Sequence, residues 1–408
     1  MTAQVSHDPE QLVQSFMIGP FPDDPYPVYD ALRESAPVFR SELGLWFATS
    51  YADCLGVLRD PRFGQGAGAQ RLRDDERFEA SPAFKTLAHM LPFIDPPDHT
   101  RLRKLITRAF TPRAVERMRA YLGSLVDGLL DDVRRAGGGD LMADVAHHIP
   151  VGVICEMLGA PHDHDRELVE WSDALVGAVH PMVDNAELAR ANEGARAFRE
   201  FVSELIAARR TAPRDDLITA LVHAESDGDL LTGDELVSTV ILFIGAGIEN
   251  TKHFIGSCFQ ALLADRGLAQ SVRDDPSLVA AFAEEVLRLE PPVQIAVPRL
   301  ALDDVELSGV RVPAGEQICV VVPSANRDPA VYSQPNRLDL DRDAPANLSL
   351  ATGPHLCAGA ALARLEAHVA VARFVDRLAD AKLAPPGPSY RTEGRPSLRG
   401  LAVLPITV

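Results

Sequence analysis

One cysteine of the sequence lies in a setting that favours reactivity. Cys357 stands in the segment TGPHLCAGAALAR, after a Gly-Pro-His turn and before apolar residues at helical spacing. It is therefore expected at a helix N-terminus, where unpaired N–H groups and the helix dipole favour an anion. A thiol in that position ionises easily, and the thiolate is the form that binds a metal or attacks an electrophile. This position alone is equally compatible with a buried structural cysteine.

The other four cysteines lie in a different setting. Each is flanked by apolar residues, which is typical of a free cysteine that packs as a small buried hydrophobe. These residues are Cys54, Cys155, Cys258 and Cys319. Because no Cys-x-x-Cys pair occurs, the pattern argues against a zinc site. The odd cysteine count and an N-terminus without a basic and apolar leader predict a cytoplasmic protein.

The most apolar helical stretch carries a polar trio in its middle. A capping box of Thr232 and Glu235 predicts the start of this helix. Glu249, Asn250 and Thr251 follow in the run ILFIGAGIENTKHF. Polar groups in a buried helix cost free energy unless they find partners. Two interpretations stay open: a kink with local hydrogen bonds, or a groove where a ligand or O₂ approaches the backbone beside proton carriers.

The elements that must position these residues are mostly helical. Helical patterns dominate residues 99–289, and strand-like alternation follows over residues 297–322. An irregular stretch rich in Pro, Asn and Asp covers residues 323–354, and a last long helix begins near Ala358. This order predicts an α+β fold that is mostly α with small sheets. Because no linker is visible, we expect a single domain over residues 1–408.

The charge and hydropathy of the chain exclude two classes of partner. A formal net charge of −18 argues against nucleic acid, because phosphate binding needs a basic surface. The longest nearly apolar stretch, residues 237–248, is well short of the ~18–20 residues that a membrane span needs. The total charge still leaves room for a local basic patch that binds an acidic protein.

Several motifs in a fixed order resemble those of the cytochrome P450 family, the soluble bacterial haem-thiolate monooxygenases. GPHLCAG resembles the family's cysteine loop, EEVLR its Glu-x-x-Arg pair, and PNRL the segment of a third arginine. DPPDHTRLR and VPRLAL are similar to segments that contact the haem propionates. The resemblance covers nearly the whole chain. It implies a cytochrome P450 fold and a bound haem b with Cys357 as the iron ligand.

The resemblance also implies roles for particular residues. Those expected on the iron, beside the haem or at its propionates are His99, Arg103, Ala246, Gly247, Arg299, Leu350, His355, Cys357 and Gly359. Those expected to form a structural ion cluster are Glu285, Arg288 and Arg337. Those expected to line the substrate pocket are Met90, Leu91, Leu175, Val176, Asn250, Ile295 and Leu398.

The sequence departs from the family pattern at two places. Leu350 and Ala351 stand where the cysteine loop usually begins with Phe-Gly, so the surroundings of the sulfur differ. Asn250 follows the acidic Glu249 where the family usually has threonine, and Thr251 comes one residue later. That threonine normally helps to deliver protons for oxygen activation, and the resemblance implies Glu249, Asn250 and Thr251 as the catalytic residues here. Hydroxylation therefore stands beside an alternative outcome of coupling, ring formation or desaturation, while a non-catalytic helper protein fits poorly with an intact cysteine loop.

Partners follow from the same resemblance. The enzyme would take two electrons from a ferredoxin, supplied by a ferredoxin reductase, and would use O₂ to oxidise a small organic substrate such as a natural-product intermediate. Arg101, Lys104, Arg108 and Arg364 belong to segments that border the cysteine side of the haem in the family. We therefore expect an acidic ferredoxin to dock there by opposite charge.

Overall fold

The computed structural model describes residues 8–18, 21–161, 164–178, 183–226, 228–390 and 397–408. The chain divides into two compact units. Unit 1 comprises residues 1–64, 123–146 and 250–408, and unit 2 comprises residues 65–122 and 147–249. The single domain expected for residues 1–408 stays a prediction.

Helices make up most of the ordered elements in the described part of the chain. They are α1 (Pro9–Met17), α2 (Tyr26–Ser35), α3 (Tyr51–Arg59), α4 (Ala67–Asp74), α5 (Pro82–Ala88), α6 (Asp98–Ala109), α7 (Pro112–Ala136), α8 (His148–Leu158), α9 (Asp165–Gly177), α10 (Asn185–Thr211), α11 (Leu217–Val222), α12 (Gly233–Ala264), α13 (Arg266–Asp274), α14 (Leu278–Leu289), α15 (Val322–Ala325) and α16 (Ala360–Arg377).

The strands are short. They are β1 (Val38–Arg40), β2 (Trp46–Ala48), β3 (Phe63–Gly64), β4 (Gly138–Asp140), β5 (Glu225–Ser226), β6 (Asp229–Leu230), β7 (Arg299–Ala301), β8 (Val305–Leu307), β9 (Val310–Val312), β10 (Gln317–Val320), β11 (Lys382–Leu383), β12 (Ser389–Tyr390), β13 (Leu401–Val403) and β14 (Pro405–Thr407). The predicted α+β fold, mostly α with small sheets, is confirmed.

The largest sheet lies in unit 1 and has the strand order β1-β2-β10-β7-β3. β10 pairs in parallel with β2, and its pairing with β7 is antiparallel. Helix α3 packs on this sheet, because its apolar residues Val57 and Leu58 join a buried cluster with Ile318 and Val320. The other sheets of unit 1 are β11-β14-β4, β12-β13 and β8-β9. Helix α3 also supports the cysteine loop, because its Leu58 carbonyl lies against Gly353.

Unit 2 is built on helix packing. Trp171 of α9 lies against Phe198 of α10, with ring centroids 5.6 Å apart. Phe110, at the end of α6, stacks on Phe243 of α12 with a centroid distance of 5.5 Å. A small residue, Gly245, also lets α9 approach α12 closely. These contacts fix α6 and α9 against the first part of α12.

The apolar helix predicted from the sequence is α12. Its capping box is confirmed: the Thr232 N–H donates to the Glu235 carboxylate at 2.8 Å, and the Glu235 N–H donates to the Thr232 hydroxyl at 3.3 Å. The division between the two units falls inside this helix, after Glu249. Among the residues that the structure describes, no helix combines the length and the apolarity that crossing a membrane would require.

Candidate functional site

The cysteine loop presents one thiol at the start of α16. The Cys357 N–H donates to the Leu350 carbonyl at 2.9 Å, and the Leu356 N–H donates to the Gly353 carbonyl at 3.1 Å. Helix α16 begins two residues later than expected, at Ala360, because the intervening residues form a turn. Cys357 is exposed. The sequence predicted the position near a helix N-terminus, and the structure adds that the cysteine is exposed there.

The four remaining cysteines are buried, which confirms their interpretation as core residues. Burial raises the pKa of the Cys155 and Cys319 thiols to about 12. It also raises the pKa of Cys54 and Cys258. These thiols stay protonated at neutral pH, so Cys357 is the cysteine of this chain that is placed to bind a metal.

Two glycines shape the surroundings of the sulfur. Gly353 has a φ of +69°, and a Cβ there would lie 2.8 Å from the Leu58 carbonyl oxygen of α3. The loop backbone therefore lies directly on α3, which only glycine allows. A Cβ on Gly359 would lie 4.0 Å from the Cys357 sulfur. Gly359 thus places no side chain beside the sulfur.

Ala351, which replaces a glycine of the family pattern, has a φ of +56°. A side chain in this left-handed region costs about 1–2 kcal/mol relative to glycine. Ala351→Gly should therefore raise the free energy of unfolding by about 0.5–1 kcal/mol, after the greater freedom of glycine in the unfolded chain is subtracted. Urea denaturation measures this change. Ala372→Gly inside α16 is the control and should lower stability by about 1 kcal/mol; a lower stability of Ala351→Gly would contradict the strain at this position.

A buried ion cluster lies between α14 and the irregular segment before the cysteine loop. Arg288 donates to both oxygens of Glu285, at 2.7 and 2.9 Å. Its side chain also donates to the backbone carbonyls of Asn326, Pro335 and Arg337 at 2.7–3.0 Å. The helix pair predicted from EEVLR therefore crosslinks a long segment without regular strands or long helices.

The third arginine of this cluster is Arg342, and the prediction of Arg337 is wrong. The Arg342 Nε donates to the two oxygens of Glu285 at 3.1 and 3.0 Å. Arg337 is exposed, and it contributes its backbone carbonyl rather than its side chain. The chain turns after Arg337, so the cation that reaches Glu285 comes from five residues further on.

The four groups expected at the haem propionates fall into two pairs. Arg299, at the start of β7, is buried in unit 1, and His355 is half-buried in the cysteine loop of the same unit. His99 and Arg103 lie four residues apart on α6 in unit 2, and so on one face of that helix. These side chains supply the N–H donors that a carboxylate requires.

The middle of α12 carries the predicted polar trio. Glu249 and Thr251 are buried, whereas Asn250 is half-buried. Ala246, four residues before Asn250 and on the same helix face, is exposed, and Gly247 is half-buried. The face of Ala246 and Asn250 is thus the accessible side of an otherwise buried stretch, and Thr251 lies about 100° away from it.

The residues expected in the substrate pocket differ in burial. Met90, Leu91 and Leu175 are buried in unit 2, and Leu91 packs with Leu102 of α6. Val176 is 44% exposed, so it fits a closed pocket poorly and is not retained. The two expected pocket residues of unit 1, Ile295 and Leu398, lie in neighbouring extended segments. Ile295 is bridged to Val321, and Leu398 is bridged to Val293.

The four cations expected to attract a ferredoxin differ in their exposure to solvent. Arg101 is paired with Glu235 and with Asp229 on unit 2, and Arg364 is paired with Glu284 on unit 1. Lys104 and Arg108 are exposed on α6, one helical turn apart. Lys104 and Arg108 are therefore the most exposed of the four expected cations.

Sequence reasoning missed three residues. Arg342 and Arg399 have buried side chains that pair with a glutamate. Glu366 of α16 is buried, and burial raises its pKa to about 8, so it is mostly protonated at neutral pH. Its position in ARLEAHVAV, between apolar residues at helical spacing, was the available signal.

Unit 1 has an exposed cysteine at a helix N-terminus together with Arg299 and His355, and unit 2 has His99 and Arg103. A thiolate and N–H donors suited to carboxylates are the groups that a haem-thiolate protein requires. The sequence model described as Cytochrome P450 matches residues 72–382. The chain belongs to the cytochrome P450 family, and it is an oxidoreductase of that family.

Three relatives illustrate the match. The cytochrome P450 monooxygenase PikC of Streptomyces venezuelae is 36% identical over 396 residues, which are 95% of this chain and 91% of PikC. A crystal structure of P450BioI in complex with hexadec-9Z-enoic acid ligated acyl carrier protein matches with a TM-score of 0.86 and 31% identity, covering 94% and 98% of the two chains. CxnD, a cytochrome P450 enzyme for C–S bond formation in chuangxinmycin biosynthesis, matches with a TM-score of 0.84 and 33% identity, covering 94% of each chain.

Proposed function

We propose that this chain is a cytoplasmic monooxygenase that uses haem b, O₂ and electrons from a ferredoxin and its reductase to oxidise a small organic substrate. The observation that carries the proposal is the accessibility of Cys357 at the start of α16, while the other cysteines are buried. All five cysteines are free thiols, in keeping with a reducing cytoplasm.

Each proposed role follows from the chemistry of the side chain. Cys357 would bind the iron as thiolate, and the Cys357 N–H bond to Leu350 would hold the loop in place. His99, Arg103, Arg299 and His355 would donate to the two propionates. A thiolate-ligated haem supplies the activation of O₂. The accessible face of Ala246 and Asn250 would border the space where the substrate is oxidised.

The proton route is the part in which this chain differs from its family. An asparagine amide donates a hydrogen bond but relays protons poorly, whereas a hydroxyl donates and accepts at once. Thr251 is buried on another side of α12. We therefore assign proton supply to Glu249 through ordered water, or to a hydroxyl of the substrate, with Asn250 holding the water or the ligand.

Asn250→Ala should lower the amount of product formed per NAD(P)H consumed, with the remaining electrons lost as peroxide. Asn250→Thr should retain this coupling or improve it, because a hydroxyl then stands on the accessible face. Thr251→Ala is the matched control and should leave coupling close to that of the wild type. Unaltered coupling and unaltered substrate affinity in Asn250→Ala would reduce Asn250 to a packing residue.

Ferredoxin docking is assigned to the exposed cations of α6. Lys104→Glu with Arg108→Glu should slow reduction by an acidic ferredoxin at low salt by about tenfold, and the difference should shrink as salt is raised. Stopped-flow reduction under CO measures this rate. Arg273→Glu on α13, which also reverses an exposed charge, should leave the rate unchanged. Equal rates for both variants would exclude α6 as the docking face.

A second outcome, coupling, ring formation or desaturation without hydroxylation, is favoured by Asn250 and by the likeness to CxnD. The substrate we propose is a natural-product intermediate, either free or attached to a carrier as the acyl chain of the P450BioI complex is. Spectral titration with free and carrier-bound acyl compounds would show which of these two kinds of substrate binds.

Turnover under isotopically labelled O₂ then separates the two outcomes. Label in the product supports monooxygenation, and an oxidised product without label supports the alternative. Haem-loaded protein that consumes no NAD(P)H with any bound compound, when ferredoxin and reductase are supplied, would contradict an enzymatic function.

A further inference from the structure

A buried arginine outside the cysteine loop holds the C-terminal segment of unit 1. Arg399 is 6% exposed, and its guanidinium donates to the Glu290 carboxylate and, at 2.7 Å, to the Asp23 carbonyl. Its guanidinium carbon lies 3.8 Å from the ring centroid of Tyr390 and 5.3 Å from that of Tyr26. An ion pair, a backbone carbonyl and two aromatic rings thus bind one cation.

Arg327 strengthens the same cluster from another element. Its guanidinium carbon lies 3.5 Å from the Tyr26 ring centroid, and it donates to Glu290 at 3.3 Å and to the Leu289 carbonyl at 2.7 Å. The anchor cluster, defined as Tyr26, Glu290, Arg327, Tyr390 and Arg399, therefore joins α2 and the end of α14 to the segment that carries Arg399. This segment has no freedom to shift without breaking several buried contacts.

The residues on either side of Arg399 face away from the anchor cluster. In an extended segment, successive side chains point to opposite sides. A Cβ built on Gly400 would collide with the His253 ring, so the backbone at Gly400 lies directly on α12. Leu398 shares the side of Gly400. His253 is one helical turn beyond Asn250, so Leu398 and Asn250 both belong to the region around this turn of α12.

Backbone hydrogen bonds keep the segment in register with its neighbour. The Arg399 N–H donates to the Pro292 carbonyl at 2.8 Å, and the Gln294 N–H donates to the Ser397 carbonyl at 2.9 Å. Leu398 is bridged to Val293 in the antiparallel sense. The expected pocket residues Leu398 and Ile295 thus lie on two paired segments, and one of these segments contains the buried Arg399.

We propose that Arg399 is a positioning residue for substrate specificity, which fixes Leu398 at the wall of the substrate pocket through the anchor cluster. The inference rests on the proposed function and on the expectation from the sequence that Leu398 lines the substrate pocket. Arg399 itself would not touch the substrate, because its side chain lies in the anchor cluster. Its loss should change which molecules fit and leave haem binding unaltered.

Two iron-coordinating probes of different size test this role. Imidazole needs little space, whereas 4-phenylimidazole adds a ring that must fit against the pocket wall. Both probes coordinate the iron in the same way, so the ratio of their spectral dissociation constants cancels any change in affinity that arises at the iron itself. Arg399→Met should change this ratio by about fivefold or more, equivalent to about 1 kcal/mol. Arg33→Met is the matched control, because Arg33 is also buried, pairs with Asp30 and donates to the Ser324 carbonyl. It should lower the melting temperature similarly without changing the ratio.

A double-mutant cycle with Leu398→Ala distinguishes a failure of the positioning role of Arg399 from a failure of the pocket assignment of Leu398. Leu398→Ala alone should change the ratio, and adding it to Arg399→Met should have little further effect, since both act through one side chain. An effect of Leu398→Ala without one of Arg399→Met would overturn the positioning role alone. No effect of Leu398→Ala would overturn the pocket assignment on which the role rests. Arg399→Lys, which keeps the charge near Glu290, provides the same comparison if Arg399→Met does not fold.

Discussion

Cys357→His is expected to abolish the red-shifted Soret band of the ferrous CO complex. The shift arises from electron donation by a thiolate ligand, and an imidazole in its place does not supply it. The variant should still bind haem, because histidine is itself a haem ligand. Difference spectra of the CO complex, normalised to haem content, measure the effect.

Cys258→Ala is the matched control for this variant. Cys258 lies fully buried in α12, where burial raises the pKa of its thiol, so removing it should leave the red-shifted band in place. A band that survives in Cys357→His would show that another group binds the iron.

Arg288→Met is expected to prevent accumulation of the folded protein. It removes a cation that is itself 2% exposed and that donates to Glu285 and to three backbone carbonyls, so that Arg342 remains as the cation on Glu285. Breaking a buried pair in this way costs about 3–5 kcal/mol, which is a large part of a typical stability of about 5–15 kcal/mol. Soluble yield and urea denaturation measure the loss.

Arg337→Met is the control that also tests the corrected assignment. The Arg337 side chain is exposed, so this variant should change the free energy of unfolding by no more than about 0.5 kcal/mol. Arg342→Met should resemble Arg288→Met, because its side chain pairs with Glu285. The opposite order, with Arg337 costly and Arg342 silent, would restore Arg337 as the third arginine.

The pH dependence of stability offers a second measurement on the same cluster. Burial raises the pKa of Glu285, but hydrogen bonds from Arg288 and from the Asp339 N–H outweigh it, so the pKa is lowered overall. Such a carboxylate adds stability that is present above its unfolded pKa of about 4.3 and is lost as pH falls through the folded pKa. Glu285→Gln should therefore flatten the decline of stability on the acidic side.

The sequence predicted features whose signals are local. The capping box at Thr232 needs only two residues three positions apart, and the structure has both hydrogen bonds. The burial of four cysteines also followed from immediate neighbours, because apolar flanks indicate burial, and the Gly-Pro-His turn before apolar residues at helical spacing placed Cys357 near a helix N-terminus. Helical periodicity predicted α16 to within two residues of its start.

Features that depend on tertiary folding were not predictable in the same way. Which arginine reaches Glu285 depends on how residues 323–349 turn, and that stretch has no periodicity from which a direction follows. Arg399 and Glu290 are more than a hundred residues apart in the sequence, and nothing near either residue indicates that they meet in a buried cluster. Their pairing depends on the positions of α2, α14 and the C-terminal strands together.

The absorption spectrum of the purified wild-type protein, reduced and exposed to CO, tests the central claim most directly. A thiolate ligand from Cys357 predicts a haem-containing protein whose ferrous CO complex has a red-shifted Soret band. A protein that purifies without haem after expression with ample haem supply, or one whose CO band lies where histidine-ligated haem proteins absorb, would contradict it.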